Sequence, residues 1–271
     1  MWKHRTQEAR IGSPRSGKTF GAEVNALNYL AKGHGVAVVY NRGMPGDWSH
    51  FETVRPLTVA EHVKYFFPGR EAKAAYKLDP KFLYFQRPNG DIYHFSQLVQ
   101  LYWGRGVCIQ RTGAKDDDKV FRAIYDYVGC AYVFFDDIAT LVKHGLKTYM
   151  SQLLSSQNHA GKYCGLAAAR GKGVDISLMF HALDAVNAEV WRYLTHVTLY
   201  RTTYAPKRSF LDNPELADEL LKAWGEVRKL PRYTAISYFL QGDELEREII
   251  TPQQVLTLKN NIQNGRKKRV V

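Results

Sequence analysis

The sequence contains little cysteine, and its cysteines form no pattern. Cys108, Cys130 and Cys164 are the only three among 271 residues, and no C-x-x-C pair occurs. Isolated cysteines in an odd number give no support to a disulfide framework or to a cysteine-based zinc site. We therefore expect the chain to work in a reducing compartment such as the cytosol.

Long apolar runs are missing as well. The N-terminal residues 1–5 are mostly polar or basic and no apolar segment follows them, which is not typical of a signal peptide. No stretch reaches the roughly 18 consecutive apolar residues of a spanning helix. Hydrophobic residues still make up 45% of the chain, enough for the core of one large α/β domain or two small ones. We expect a soluble protein without a transmembrane segment.

Acidic residues are too few to balance the basic ones. Lysine and arginine number 38 against 26 aspartates and glutamates, which gives a formal net charge of +12. Such an excess favours a polyanionic partner, and nucleic acid is the first candidate. The basic run at residues 265–269 either contacts phosphates or only adds solubility.

The octapeptide Gly12-Ser13-Pro14-Arg15-Ser16-Gly17-Lys18-Thr19 matches the P-loop pattern G-x-x-x-x-G-K-[ST]. Gly12 and Gly17 allow a tight turn whose N–H groups point at a phosphate. Lys18 offers a charge to the β- and γ-phosphates, and Thr19 offers a hydroxyl to Mg²⁺. ATP and Mg²⁺ are therefore the predicted cofactors. The predicted nucleotide-binding residues are Gly12, Ser13, Pro14, Arg15, Ser16, Gly17, Lys18, Thr19 and Phe20.

The segments around this motif follow the order of a P-loop unit, with one exception. Apolar residues recur at helical spacing from Lys18 to Lys32, and residues 35–41 form an apolar run that predicts a strand buried on both faces. The exception is the strand that should lead into the loop, because only Ala9 and Ile11 near it are apolar. We expect that strand to be short and peripheral, or the chain to start in an unusual way.

A second nucleotide signature lies further along the chain. Residues 130–135 form an apolar run that is followed by Asp136 and Asp137, as in a Walker B strand. One carboxylate holds the Mg²⁺ shell and the other orients or deprotonates the attacking water. Adjacent side chains on a strand point to opposite faces, so we assign Asp136 to the metal and Asp137 to the water.

Residues 43–105 exceed a minimal P-loop core, and we interpret them as an insertion. It is predicted to contain a short helix near Ala60–Phe67. It also contains a β-hairpin, in which apolar residues at 82–85 and 92–95 flank the turn sequence Pro88-Asn89-Gly90-Asp91. Its interleaved aromatic and basic residues either bind nucleic acid or belong to an ordinary hairpin.

The second half of the chain continues the alternation of strands and helices. We predict a small, apolar strand at residues 163–169 that ends at Arg170, where an arginine can sense the γ-phosphate, bind DNA or only face solvent. A mostly helical segment from Val174 to Tyr193 is predicted next. The remaining predictions are a strand at 196–201, a helix at 214–227 capped by Asn213, and a strand at 234–240.

This order of elements resembles the FtsK–HerA superfamily of DNA-pumping ATPases. The stretch 169–176 and the strand sequence Thr198-Leu199-Tyr200-Arg201 are similar to segments of these proteins. Where the superfamily usually has Gln at the tip of the strand after Walker B, this sequence has Ala169-Arg170. The size and the early P-loop look like genome-packaging ATPases of membrane-containing viruses. Zot-like assembly ATPases of filamentous phages are the near alternative, although those usually carry a transmembrane helix.

The resemblance implies a fold, a mechanism and partners. We expect an α/β fold with a mainly parallel central sheet flanked by helices, with residues 1–250 as one ATPase domain and 251–271 as a C-terminal segment with a basic tail. ATP would bind between subunits of a pentameric or hexameric ring, and a neighbour's arginine would stabilise charge on the γ-phosphate. The predicted catalytic residues are Lys18, Asp137, Arg170 and Arg122.

Three functions remain open at this stage. The first is a DNA translocase that packages a viral genome in the host cytoplasm or at the virion, with capsid or portal-vertex proteins as further partners. The second is an ATPase of phage assembly and extrusion. The third is a nucleotide-dependent DNA-binding switch with low turnover.

Overall fold

The computed structural model describes most of the chain. The described residues are 6–40, 48, 51–66, 83–102, 106–111, 117–136, 138, 148–164, 172–207, 211–240 and 246–267. The chain divides into two compact units. Unit 1 comprises Met1–Gly33, Tyr132–Leu146 and Asp175–Val271, and unit 2 comprises His34–Ala131 and Lys147–Val174.

Unit 1 is built around a sheet with strand order β11-β10-β9-β1-β8-β7. Its elements are β1 (Gln7–Ile11), α1 (Lys18–Ala31), β7 (Ala131–Phe135), β8 (Val174–Phe180), α6 (Ala188–Trp191), β9 (His196–Tyr200), α7 (Pro214–Val227), β10 (Ala235–Phe239), β11 (Glu246–Ile250) and α8 (Pro252–Lys267). β1 pairs in parallel with both β8 and β9. β10 and β11 are antiparallel additions at one edge.

Unit 2 has the strand order β2-β6-β3-β4-β5. Its elements are β2 (Gly35–Tyr40), β3 (Glu52–Pro56), α2 (Val59–Phe66), β4 (Tyr84–Gln86), β5 (Ile92–His94), α3 (Phe95–Tyr102), β6 (Val107–Gln110), α4 (Asp117–Tyr127) and α5 (Thr148–Ser155). β6 pairs in parallel with β2 and β3, and β4 pairs antiparallel with β3 and β5. The predicted α/β fold with a mainly parallel sheet and an inserted hairpin is confirmed.

β1 is short, as its sequence predicts, but it is not peripheral. It has five residues, and hydrogen-bonded parallel strands flank it on both sides. Ala9 and Ile11 are fully buried, and Gln7 and Arg10 are at most 5% exposed. The expectation of a peripheral strand is therefore wrong, and the polar residues of β1 need a physical explanation.

That explanation is a buried polar network that crosses three strands of unit 1, β1, β8 and β9. The Arg10 guanidinium donates to Glu8 Oε2 at 2.9 Å, to Ser177 Oγ at 3.1 Å and to the Tyr200 hydroxyl at 2.7 Å. Thr198 donates to Glu8 Oε1 at 2.5 Å. Burial lowers the pKa of Arg10, but Glu8, Tyr200 and Tyr132 together outweigh it, so the pKa is raised and the charge is kept. Polar residues remain inside because each has partners.

The strand that follows Walker B lies later in the chain than predicted. Tyr163 and Cys164 are not in a strand, and residues 165–170 lie outside the described part. β8 instead covers Val174–Phe180, with every residue buried. The predicted helix from Val174 to Tyr193 is therefore wrong over this strand; the helical parts of the segment are a 3₁₀ turn at Leu183–Ala185 and a short α-helix at Ala188–Trp191.

The C-terminal elements of unit 1 include confirmed and missed features. α7 begins as predicted, because the Asn213 side chain accepts a hydrogen bond from the Leu216 N–H at 3.1 Å. β11 and α8 were not predicted. α8 packs on α1, where Val255 contacts Val24 and Leu27. The helix also includes residues 265–267, the first part of the basic run.

Other described features agree with the composition. All three cysteines are free and buried, and burial raises the pKa of the Cys108 thiol to about 12. No helix in the described ranges is long and apolar enough to cross a membrane. The division of residues 1–250 into a single domain stays a prediction.

Candidate nucleotide-binding site

The P-loop connects the end of β1 to the start of α1 within unit 1. Its turn uses two left-handed residues, Arg15 with φ of 60° and Gly17 with φ of 105°. The Gly12 N–H donates to the Phe180 carbonyl at 3.2 Å, and the Ser13 N–H donates to the Arg201 carbonyl at 3.1 Å. The loop is therefore tied to the ends of β8 and β9.

Gly12 has no room for a side chain. A Cβ there would lie 2.7 Å from Tyr200 Cβ and 2.8 Å from Ser16 Oγ, closer than real Cβ contacts allow. Tyr200 also accepts the hydrogen bond from Arg10. The polar network of β1, β8 and β9 and the backbone of the P-loop therefore both contact Tyr200.

Lys18 lies over the loop rather than in solvent. It is 3% exposed, and its Nζ donates to the Gly12 carbonyl and to the Ser13 carbonyl, the latter at 2.8 Å. From this position the ammonium can meet phosphate oxygens at the loop. Ser16 is 6% exposed, and its Oγ has no hydrogen-bond partner among the described residues. A buried hydroxyl of this kind in a P-loop turn fits a phosphate oxygen.

Thr19 and Asp136 are the residues predicted to hold Mg²⁺. Thr19 is partly buried in the first turn of α1, with Oγ1 4.0 Å from Met179 Sδ on β8. Asp136 directly follows β7 and is also partly buried. Their hydroxyl and carboxylate oxygens suit Mg²⁺, which takes its other ligands from phosphates and water. Within the described ranges no group of three metal-binding side chains is found.

The predicted catalytic residues differ in how the structure treats them. Asp137 and Arg170 lie outside the described residues, so their roles stay predictions. Arg122 lies on α4 in unit 2, is 9% exposed, and pairs with Asp126 at 3.4 Å. Burial raises the pKa of Asp126, and Arg122 opposes that rise. The role of Arg122 as a catalytic arginine stays a prediction as well.

Phe20 has a packing role in the structure. Its ring lies against Val24 and Leu27 of α1, and Lys259 Nζ lies 5.2 Å from the ring centre. The group of Phe20 that is suited to a phosphate is therefore its backbone N–H, in the first turn of α1. The prediction that this residue contacts the nucleotide is not tested by the packing.

His181 was not predicted from the sequence as a site residue. This residue directly follows β8, the strand that lies between β1 and β7, and its carbonyl accepts a hydrogen bond from Thr202 Oγ1 at 3.4 Å. It occupies the strand-tip position that the sequence analysis gave to Ala169-Arg170. The alternation of Val174, Ile176 and Leu178 with polar residues was the available signal for a strand that ends here.

Comparisons with known proteins bear on the fold. No family model matches the sequence, and no curated protein sequence does either. The genome packaging NTPase B204 of Sulfolobus turreted icosahedral virus 2, in complex with sulfate, is similar with a TM-score of 0.56 and 11% identity, over 93% of this chain and 98% of that one. Its complex with ATP-γS gives 0.54 and 10% identity, over 91% and 98%.

A third solved structure agrees. B204 of Sulfolobus turreted icosahedral virus, described as a DNA-packaging ATPase, gives a TM-score of 0.54 and 11% identity, over 90% of this chain and 96% of that one. Similarity at this identity concerns the fold. The chain therefore has the fold of these viral genome-packaging NTPases, the proteins that its order of elements resembles.

Proposed function

We propose that the chain is an ATP-hydrolysing DNA translocase, a viral genome-packaging motor that works as a homo-oligomeric ring. One observation carries the proposal. Lys18 is buried against the Gly12 and Ser13 carbonyls of a P-loop that also buries the Ser16 hydroxyl, in a fold shared with packaging NTPases. A lysine is costly to bury, and this position suits a group that receives phosphates.

The residues of unit 1 have distinct roles in this proposal. The loop N–H groups and Lys18 bind the β- and γ-phosphates, and Thr19 and Asp136 hold Mg²⁺. When bound, the cation neutralises charge that develops during phosphoryl transfer. Asp137 orients or deprotonates the attacking water. His181, at the tip of β8, is a further candidate for contact with the γ-phosphate or the water.

The ring and the DNA belong to the same proposal. A neighbour's arginine would complete the site, and Arg170 is preferred to Arg122 because Arg122 is buried in an ion pair. The net charge of +12 suits a surface that grips DNA phosphates. The working place would be the host cytoplasm or the virion, with capsid or portal-vertex proteins as partners.

The test is ATP turnover measured with and without DNA. We expect double- or single-stranded DNA to stimulate hydrolysis, and the affinity for DNA to fall steeply between 50 and 200 mM salt, since counterion release dominates such binding. ATP turnover that ignores DNA would contradict the translocase and favour the extrusion ATPase. DNA binding with almost no turnover would favour the switch. Sedimentation with ATP should show a ring, and a monomer under all conditions would contradict it.

A further inference from the structure

Tyr233 lies beside the P-loop, although it is far from it in sequence. β10 runs antiparallel to β9, and Ala235 pairs with Tyr200 at the carboxyl end of β9. The segment that leads into β10 therefore lies at the edge of the sheet where the P-loop is tied to the Arg201 carbonyl. The topology alone brings Tyr233 to the mouth of the candidate site.

The contact is direct. A Cβ on Gly17 would lie 3.2 Å from Cδ1 and 3.5 Å from Cβ of Tyr233, so the tyrosine adjoins the last turn of the loop before Lys18. The Tyr233 side chain is nevertheless 43% exposed. The guanidinium carbon of Arg232 lies 4.9 Å from the ring centre. An aromatic ring with a cation over it is thus held at the loop with much of its surface open to solvent.

The backbone at Tyr233 makes this arrangement unusual. Its φ is +69°, a region that a bulky L-residue rarely adopts. An exposed aromatic side chain gains little from burial that would offset such a conformation. Backbone outliers of this kind concentrate where a side chain must be aimed at a ligand.

We propose that Tyr233 is the platform on which the nucleobase stacks, with Arg232 supporting the ring. The inference rests on the proposed ATP site. Phosphates held by the P-loop place the base just outside it, and bases stack well on aromatic rings and arginine planes. Stacking uses the π-face that every base has, so Tyr233 adds affinity for purine nucleoside triphosphates without strong selection between adenine and guanine.

The experiment compares triphosphates with and without a nucleoside. Calorimetric titration with ATP, GTP and inorganic tripolyphosphate, each with Mg²⁺, is performed on the unaltered chain and on Tyr233→Gly. Glycine adopts a φ of +69° readily, so this variant keeps the backbone and its folding can be checked by thermal unfolding. We expect about tenfold weaker binding of ATP and GTP, and unchanged binding of tripolyphosphate.

Two further variants sharpen the result. Tyr233→Trp should bind ATP about as tightly as the unaltered chain. The tryptophan fluorescence of this variant should change when ATP but not tripolyphosphate is added. Tyr163→Ala is the matched control, because Tyr163 is 52% exposed in unit 2 with Lys162 Nζ 5.2 Å from its ring centre. It should leave all three affinities unchanged.

The outcomes separate this inference from the proposed function. ATP affinity that is unchanged in Tyr233→Gly would overturn the inference, and so would an equal loss for tripolyphosphate, which would mean that the tyrosine only shapes the loop. An unaltered chain that binds neither ATP nor tripolyphosphate would contradict the ATP site itself, and the stacking role would fall with it.

Discussion

β1 leads to the P-loop and β7 leads to Asp136, and the side chains of these two strands differ in polarity. β7 is Ala-Tyr-Val-Phe-Phe with every residue buried, whereas β1 is Gln-Glu-Ala-Arg-Ile and is buried almost as fully. The apolar strand is held by packing. The polar strand is held because β8 and β9 supply partners for its side chains. A central strand can therefore be polar where its neighbours satisfy it.

The polar strand β1 is also linked to the P-loop through its side chains. Arg10 donates to the Tyr200 hydroxyl, and the Cβ of the same tyrosine packs where Gly12 has no side chain. The network therefore braces the residue against which the P-loop turns. We infer that the polar network, which replaces apolar packing in β1, attaches the phosphate-binding loop rigidly to the sheet.

The largest effect should come from breaking the network at its cation. Arg10→Met leaves the partly buried Glu8 without its main partner and should lower the free energy of unfolding by about 3–5 kcal/mol. The double variant Glu8→Leu with Arg10→Met should lose less, because no charge is left unpaired. Urea unfolding followed by circular dichroism measures both. A single variant within about 1 kcal/mol of the unaltered chain would show that the network does not hold β1.

A smaller effect is expected from two isosteric substitutions, one that removes a hydroxyl from the polar network and one that adds a hydroxyl to the apolar strand. Thr198→Val removes the hydroxyl that donates to Glu8, and Val133→Thr places a hydroxyl in the apolar β7, where Val133 is fully buried. Each should cost about 1–3 kcal/mol, since each leaves a polar group without its partner. Urea midpoints compare the two. If either variant is as stable as the unaltered chain, the contrast between the strands is not energetic.

The contrast also explains how far the sequence could predict the fold. β2 and β7 were found because continuous apolar runs mark strands that are buried on both faces. β8 was missed because Asp175 and Ser177 interrupt its apolar residues; Asp175 accepts from the Thr6 N–H at 2.6 Å and Ser177 bonds Arg10. These partners lie about 170 positions away, so no local window shows that they are satisfied.

The site was predictable in part for the same reason. The P-loop and Asp136 follow from local motifs, and their spatial grouping follows from strand order. His181 was missed together with β8, and Tyr233 carries no local signal because only the antiparallel return of β10 brings it to the loop. β11 is largely exposed and α8 is mostly polar, so neither has an apolar pattern that marks it in sequence.

The smallest effect concerns an ion pair that is more exposed than Glu8 and Arg10. In unit 2, Arg55 bonds Glu61 at 2.7 Å and lowers the pKa of Glu61 from 4.5 to about 2. This stabilisation is present above pH 4.5 and is lost as the pH falls towards 2. Because the pair is partly exposed, Glu61→Gln should change stability by less than about 1 kcal/mol at pH 7. Thermal unfolding between pH 2 and 6 should show a steeper acid loss in the unaltered chain than in Glu61→Gln; parallel curves would contradict the pairing.

The measurement that tests the account most directly is the ATP turnover of Lys18→Ala. Lys222→Ala is the matched control, since Lys222 is exposed on α7 and pairs with Glu219 one turn away. We predict that Lys18→Ala lowers the rate by about 100-fold or more, because a charge aimed at the transferred phosphate is removed, while Lys222→Ala keeps the full rate. Turnover by Lys18→Ala at the rate of the unaltered chain would show that the P-loop is not the site of catalysis.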